Sequence, residues 1–404
     1  MGQRAHNQVH RRRVFYIPGY DPIHPRRYRE LYRKEGAAQA ELSGYEIDLK
    51  PKQTKGRYGW HVTGHIEGGK VDADFEVLVW SDIVRDSMAQ GIVATYAQLV
   101  RTAWAYIASG ALWRLMRLRK GPVIAALYPV LFLLLQLVIA CVSAYGIGQL
   151  LAMTLPAWTA WVGLVMVPLV LNWFRKRDGK FFAYYLMHDY AYSARSKGAN
   201  PPELEARLAE FGEVIAAALQ SDVDEILVIG HSSGAHLGVS ILADLIRSGR
   251  VPEDGPALSF LSLGQVVPMV SFLPEAHRLR KDLQDLCQRD DITWIDVTAP
   301  GDGCAFALCD PVCVSGVAPA TGKKWPLVVS AAFTQTLSPA RWKELRWRFF
   351  RLHFQYLCAF DRPGDYDYFR ITAGPATLAA RYEGRVPSKS RIEKPVNKFT
   401  SVTS

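Results

Sequence analysis

The chain has 404 residues, 49% of them hydrophobic, enough for a sizeable core, which excludes a disordered protein. Its formal net charge is +10, but the Lys and Arg stand in short clusters beside apolar runs without a nucleic-acid-binding signature, so a lipid bilayer is the expected acidic partner and no nucleic acid is expected. Six cysteines with no regular ladder of spacings do not form a disulfide framework, and the cluster Cys304, Cys309 and Cys313 lacks the CxxC pair or nearby His of a tetrahedral metal site; a reducing compartment and no metal or organic cofactor are expected.

Residues 1–13 form a polar, basic segment. The apolar run after it, Val14-Phe15-Tyr16-Ile17, is too short for a secretory signal, so no export address is expected. That run is β-branched and aromatic and ends in Pro18-Gly19, which reads as a buried strand entering a tight loop. Residues 25–42 carry a helical pattern. Residues 60–66 and 73–80 alternate apolar and polar side chains around Gly68-Gly69, as two strands joined by a turn do. Residues 96–119 mix Trp104, Tyr106, Ile107, Leu112 and Trp113 with cations, which suits an amphipathic helix on a membrane or a helix packed on a sheet equally well.

From Gly121 through Phe174 there is no Asp, Glu, Lys, Arg or His. One helix of that length would measure about 80 Å, against a hydrocarbon core of about 30 Å, so two spans are expected, near 122–146 and 157–174, with the break at Met153-Thr154-Leu155-Pro156. Arg114, Arg117, Arg119 and Lys120 precede the run and Arg175, Lys176 and Arg177 follow it; by the positive-inside rule both flanks, and with them both termini, are cytoplasmic. Trp158, Trp161 and Trp173 fall near the expected interfaces. The expected location is therefore an integral membrane protein, of the inner membrane in a bacterium. A transporter or channel is a poor reading, because the spans offer no intramembrane ionisable group to mark a pathway.

Beyond the hairpin, residues 181–196 and 202–219 are helical in pattern. A strand-then-helix rhythm follows: 225–229 then 235–247, 258–263 then 274–287, and 292–297 running into a loop. Such alternation predicts an α/β fold with a mostly parallel sheet and helices on both faces. The organisation expected is thus a basic segment (1–13), a first part of the α/β domain (14–120), the hairpin (121–174), a second part (175–385) and a flexible basic tail (386–404).

The run Ile226-Leu227-Val228-Ile229-Gly230-His231-Ser232-Ser233-Gly234 is an apolar strand that enters G-x-S-x-G and then a helix. The five letters alone are a weak sign; strand before and helix after are what a nucleophile elbow requires, with Gly230 and Gly234 admitting close backbones around the exposed Ser232. On these residues the chain resembles the α/β-hydrolase superfamily, which includes lipases and esterases, over residues 14–82 and 222–357. The resemblance implies a triad in the chain order Ser, acid, His.

Among the ten histidines, His353 alone follows Ser232 by more than fifty residues and lies beyond every plausible acid, while His231 and His236 are too close to the serine to act as its base. For the acid, Asp302 lies just past a strand between Gly301 and Gly303; Asp296 within that strand and Asp310 further along the loop are rivals. The resemblance also implies two oxyanion donors, the N–H of Ser233 and one from the loop after an early strand. There Pro18-Gly19-Tyr20-Asp21 stands where the family often has His-Gly, with Tyr20 N–H as the choice and Asp21 as rival. The function implied is hydrolysis of a small acyl ester or lipid by a membrane-anchored serine hydrolase. Acyl transfer or thioester cleavage by the same triad, and a non-catalytic membrane scaffold, are the alternatives.

Overall fold

The computed structural model describes residues 8–52 and 56–403, so part of the basic N-terminal segment lies outside the described residues. Its eight strands are β1 (Arg11–Ile17), β2 (Glu46–Pro51), β3 (Gly59–Ile66), β4 (Gly69–Val77), β5 (Glu225–His231), β6 (Ala257–Leu263), β7 (Thr293–Thr298) and β8 (Leu327–Ser330). They form one sheet in the order β2, β3, β4, β1, β5, β6, β7, β8. From β4 to β8 every neighbouring pair is parallel; β3 alone runs against both its neighbours, β2 and β4.

Period-two alternation in the apolar strands builds a core on each face. Phe15 and Ile17 of β1, Ile226 and Val228 of β5 and Phe260 of β6 face the layer that holds helices Pro202–Leu219, Gly234–Arg247 and His277–Leu286. Val14 and Tyr16, Leu227 and Ile229, and Leu261 and Leu263 face the other way, against helix Arg26–Ser43 and residues 345–382. The central strand β5 is buried along its whole length, as a strand covered on both sides must be.

Between β4 and β5 the chain leaves the sheet. Lys120–Ala152 is one helix that continues through Pro129, and Ala157–Lys176 follows, its first turns of 3-10 type. Both are long and apolar enough to cross a membrane, with mean hydropathy of 2.6 and 1.5 in their most apolar windows. They reach close contact through small residues: a Cβ on Gly163 would lie 2.2 Å from the Ala144 carbonyl oxygen. Elsewhere the pair is largely uncovered, with Leu131, Val142, Leu150 and Trp161 each more than half exposed.

The segment before the hairpin is two helices, Ile92–Ala108 and Ala111–Leu118, broken where Gly110 takes a left-handed φ of 74°. Leu99 packs against helix Ala183–Arg195, and the opposite face leaves Val93, Val100 and Trp104 exposed. The buried face thus packs on another helix and not on the sheet, as one sequence reading had it.

The expected flexible tail is instead fastened to the body. Ile392 N–H donates to the Leu308 carbonyl (2.7 Å), Arg280 Nε to the Ser401 carbonyl (2.7 Å), and the Asn397 amide to the Ser271 carbonyl (2.9 Å). Its polar composition hid this, because hydrogen bonds carry much of the attachment and only the widely spaced Ile392, Val396 and Val402 pack apolar side chains against the body.

Candidate active site

Strand β5 ends in a sharp bend at Ser232, whose φ of 56° lies in the left-handed region that a side-chain-bearing residue rarely occupies. The bend is fixed on both sides: Ser232 N–H donates to the Leu263 carbonyl of β6 (2.9 Å), and Ser232 carbonyl accepts from Ala235 N–H (3.1 Å) as the helix Gly234–Arg247 begins. Neither motif glycine has room for a side chain. A Cβ on Gly230 would meet the Gly234 carbonyl oxygen at 2.6 Å, and one on Gly234 would meet that of Ile17 at 2.1 Å. The backbone of β1 therefore presses against the start of the helix.

The loop after β1 reaches the same serine. A Cβ on Gly19 would lie 3.0 Å from Ser232 Cβ. This loop is held from several directions, by Trp80 Nε1 donating to the Pro18 carbonyl (2.9 Å), by Tyr185 Oη donating to the Tyr20 carbonyl, and by a Tyr20–Ser87 hydroxyl contact. The Asp21 carboxylate is taken up by Tyr28 Oη (2.7 Å) and Ile23 N–H (2.9 Å). Among the described residues, no turn or cap bond uses the N–H of Tyr20 or of Ser233. Both residues line one cavity with Ser232.

His353 enters this cavity from the other side, at the end of the short helix Phe349–His353. Its Nδ1 lies 2.7 Å from Asp302 Oδ2, and both side chains are buried. Asp302 also accepts from Tyr356 Oη (3.1 Å) and from Cys304 N–H (2.8 Å). Burial alone would raise the Asp302 carboxyl, but the His353 charge and these hydrogen bonds together hold it below its usual value, so it stays ionised. An anionic partner on Nδ1 leaves Nε2 as the free nitrogen of the ring.

The rival acids have other duties. Asp296 is buried within β7, accepts from Ser262 Oγ (2.5 Å), and is pushed up to about 8 chiefly by burial. Asp310 caps helix Pro311–Val314 through the Val312 and Cys313 amides and pairs with Lys323 at 2.7 Å. His231, buried and pushed down to about 3 mainly by burial, donates from Nε2 to the His353 carbonyl (3.0 Å) and so steadies the segment that carries that ring. His236 is likewise lowered to about 4 by burial.

Two donor groups among the described residues are compact enough for a metal ion: Asp302, Cys304 and His353, and Asp310, Cys313 and Glu393. Neither unites the three cysteines of the sequence cluster. In the first group, burial keeps the Cys304 thiol well above its usual range, which withholds the thiolate that a metal prefers.

The cavity measures about 90 Å³, and its walls also include Asp189 of helix Ala183–Arg195 and Pro122 of the first hairpin helix. Asp189 and Tyr356 were not anticipated from sequence. Tyr356 stands three residues after His353, a spacing that brings side chains to one helical face and could have drawn notice; nothing local marks Asp189. Comparison with protein-family models, with curated proteins and with solved structures finds no match to this chain.

Burial pushes the Asp189 carboxyl up to about 7, against a smaller opposing pull from His353. In the unfolded chain it ionises near pH ~4. Between those values the folded chain keeps a proton that the unfolded chain has lost, so stability falls as pH rises through that window. Asp189→Asn is expected to melt above the parent protein at pH 8 and nearly level with it at pH 4, in detergent-solubilised samples. A variant that melts lower at pH 8 would remove this account.

Proposed function

We propose that the chain is a membrane-anchored serine hydrolase of the α/β-hydrolase type that cleaves an acyl ester, with Ser232 as nucleophile, His353 as general base and acid, and Asp302 orienting the imidazole. One observation carries the reading: a serine forced into left-handed backbone at the end of a buried parallel strand shares a cavity with a histidine whose far nitrogen is held by an ionised, buried carboxylate. The mostly parallel sheet, with the elbow between the ends of β5 and β6 and the β1 loop beside it, supports the same reading.

In this mechanism Ser232 Oγ attacks the acyl carbonyl carbon while His353 Nε2 takes the hydroxyl proton. The negative charge that gathers on the carbonyl oxygen is received by the N–H groups of Ser233 and Tyr20. As the ester C–O bond breaks, His353 returns the proton to the leaving alcohol. Water then attacks the acyl-enzyme, gives a proton to His353, and releases the acid as that proton returns to Ser232. The two apolar helices, with Arg119 and Lys120 at the start of the first and Arg175, Lys176 and Arg177 around the end of the second, anchor the domain on the cytoplasmic face of a bilayer.

A fluorophosphonate probe tests the nucleophile directly. It is expected to label the membrane-embedded protein at Ser232 and to leave Ser232→Ala unlabelled. Absence of labelling in the native chain, or equal labelling of the variant, overturns the proposal.

A further inference from the structure

A second cavity of about 110 Å³ adjoins the candidate active site and shares with it Tyr106, Tyr190 and Met269. Its walls are almost entirely apolar. They come from the helices before the hairpin (Ala103, Leu115), from the first turns of the membrane-type helix (Ala126, Leu127) and from Met187. One polar head on the shared wall is turned to other work: Tyr106 Oη donates to the Met269 carbonyl (2.9 Å).

The two cavities differ in a way that matches the two ends of one molecule. The first presents Ser232, His353, Asp189 and two unused amides, whereas the second presents hydrocarbon. Water gains little in such a chamber, since an apolar wall offers it no partners. A hydrocarbon chain gains by leaving water in proportion to the area covered. The chamber also lies against the end of a helix that, on the reading above, stands in the bilayer. Its outer face carries exposed Ile124 and Leu131 beside the lining residues Ala126 and Leu127.

We infer that this second cavity is the acyl-chain site for a long-chain ester drawn from the bilayer, with the chain lying between the pre-hairpin helices and the first turns of helix Lys120–Ala152 and the ester carbonyl at Ser232. The inference rests on the reading of Ser232 as the nucleophile. It makes the membrane insertion part of the substrate site as well as an anchor, and it sets the substrate class as lipid in place of short soluble esters.

The test fills the chamber. Ala103→Trp and Ala126→Trp, in the full-length protein in mixed micelles, are expected to lower the ratio of palmitoyl to butyryl p-nitrophenyl ester turnover at least tenfold. An unchanged ratio overturns the inference. A second arm does not depend on turnover: a photoreactive diazirine palmitate, irradiated with Ser232→Ala protein, is expected to crosslink to the segments bearing Tyr106 and Tyr190, and Ala126→Trp is expected to abolish that product. Crosslinks confined to outward residues such as Ile124 and Leu131 overturn it too. Failure of the Ser232 reading would look different, with crosslinks at Tyr106 and Tyr190 intact but no fluorophosphonate labelling of the native chain.

Discussion

Asp302→Asn is expected to lower kcat for an ester substrate by about 10⁴-fold with little change in KM, while the protein keeps its fold. The side chain is isosteric, and the Cys304 N–H (2.8 Å) still finds the remaining carbonyl oxygen, whereas the Tyr356 hydroxyl (3.1 Å), which shares Oδ2 with His353, meets the amide nitrogen and loses its acceptor. What changes is the face turned to His353. An amide that offers N–H to Nδ1 selects the tautomer with the proton on Nε2, the nitrogen that accepts the proton of Ser232 in the proposed mechanism. Steady-state kinetics beside a circular dichroism spectrum decide it; a loss under tenfold in a well-folded variant would mean that Asp302 braces its loop and nothing more. The pH sign follows from the lowered carboxyl. Its stabilising pairing is in place above the ordinary Asp range and is lost as acid carries pH down through the folded-state value.

The largest expected loss of stability lies away from the site. Arg12 of β1 and Glu225 of β5 form an ion pair at 2.6 Å with both side chains fully buried. Arg12 also donates to the Gly374 (2.9 Å) and Ala376 (2.7 Å) carbonyls, and Glu225 accepts from Ser259 Oγ (2.6 Å) and Leu378 N–H (2.7 Å). The network ties three central strands to the C-terminal region. Glu225→Gln leaves a guanidinium buried without its counter-charge and is expected to cost about 3–5 kcal/mol in denaturant unfolding. Arg12→Met with Glu225→Leu, which removes both charges, is expected to recover much of that loss. If the double variant is as unstable as the sum of the single ones, the pair is not coupled as described.

Six strands were legible in the sequence: β1, β5, β6 and β7 by apolar runs covered on both faces, and β3 and β4 by alternation around Gly68-Gly69, each within a few residues of expectation. Two strands escaped. In β2 the edge position leaves nearly every side chain at least partly exposed, so Glu46, Asp48 and Lys50 interrupt any buried pattern. At the other edge β8 has only four residues and follows Trp325-Pro326, too short a run for periodicity to register. The hairpin break at residues 153–156 was readable because a proline and a threonine interrupt an otherwise apolar sequence. Its first helix nonetheless runs on past Gly146 and Gly148 to Ala152; Gly148 packs closely on Ala160 of the second helix, a contact that favours a small residue there. In the site, local sequence pointed to Ser232 and its glycines, and chain order pointed to His353. Asp189 could not be found this way, because only the return of the chain from the hairpin brings its helix over the elbow.

Gly121, at the foot of the first hairpin helix, packs so tightly against Gly303 that a Cβ there would sit 3.1 Å from the Gly303 carbonyl oxygen. The neighbouring Arg119 Nε donates to the Ala307 carbonyl (2.7 Å). Gly303 follows Asp302 directly. Cutting out the hairpin to obtain a water-soluble product would therefore strip a buttress from the loop whose Asp302 bonds His353, and a truncated product without turnover would say nothing against the proposed activity of the intact chain.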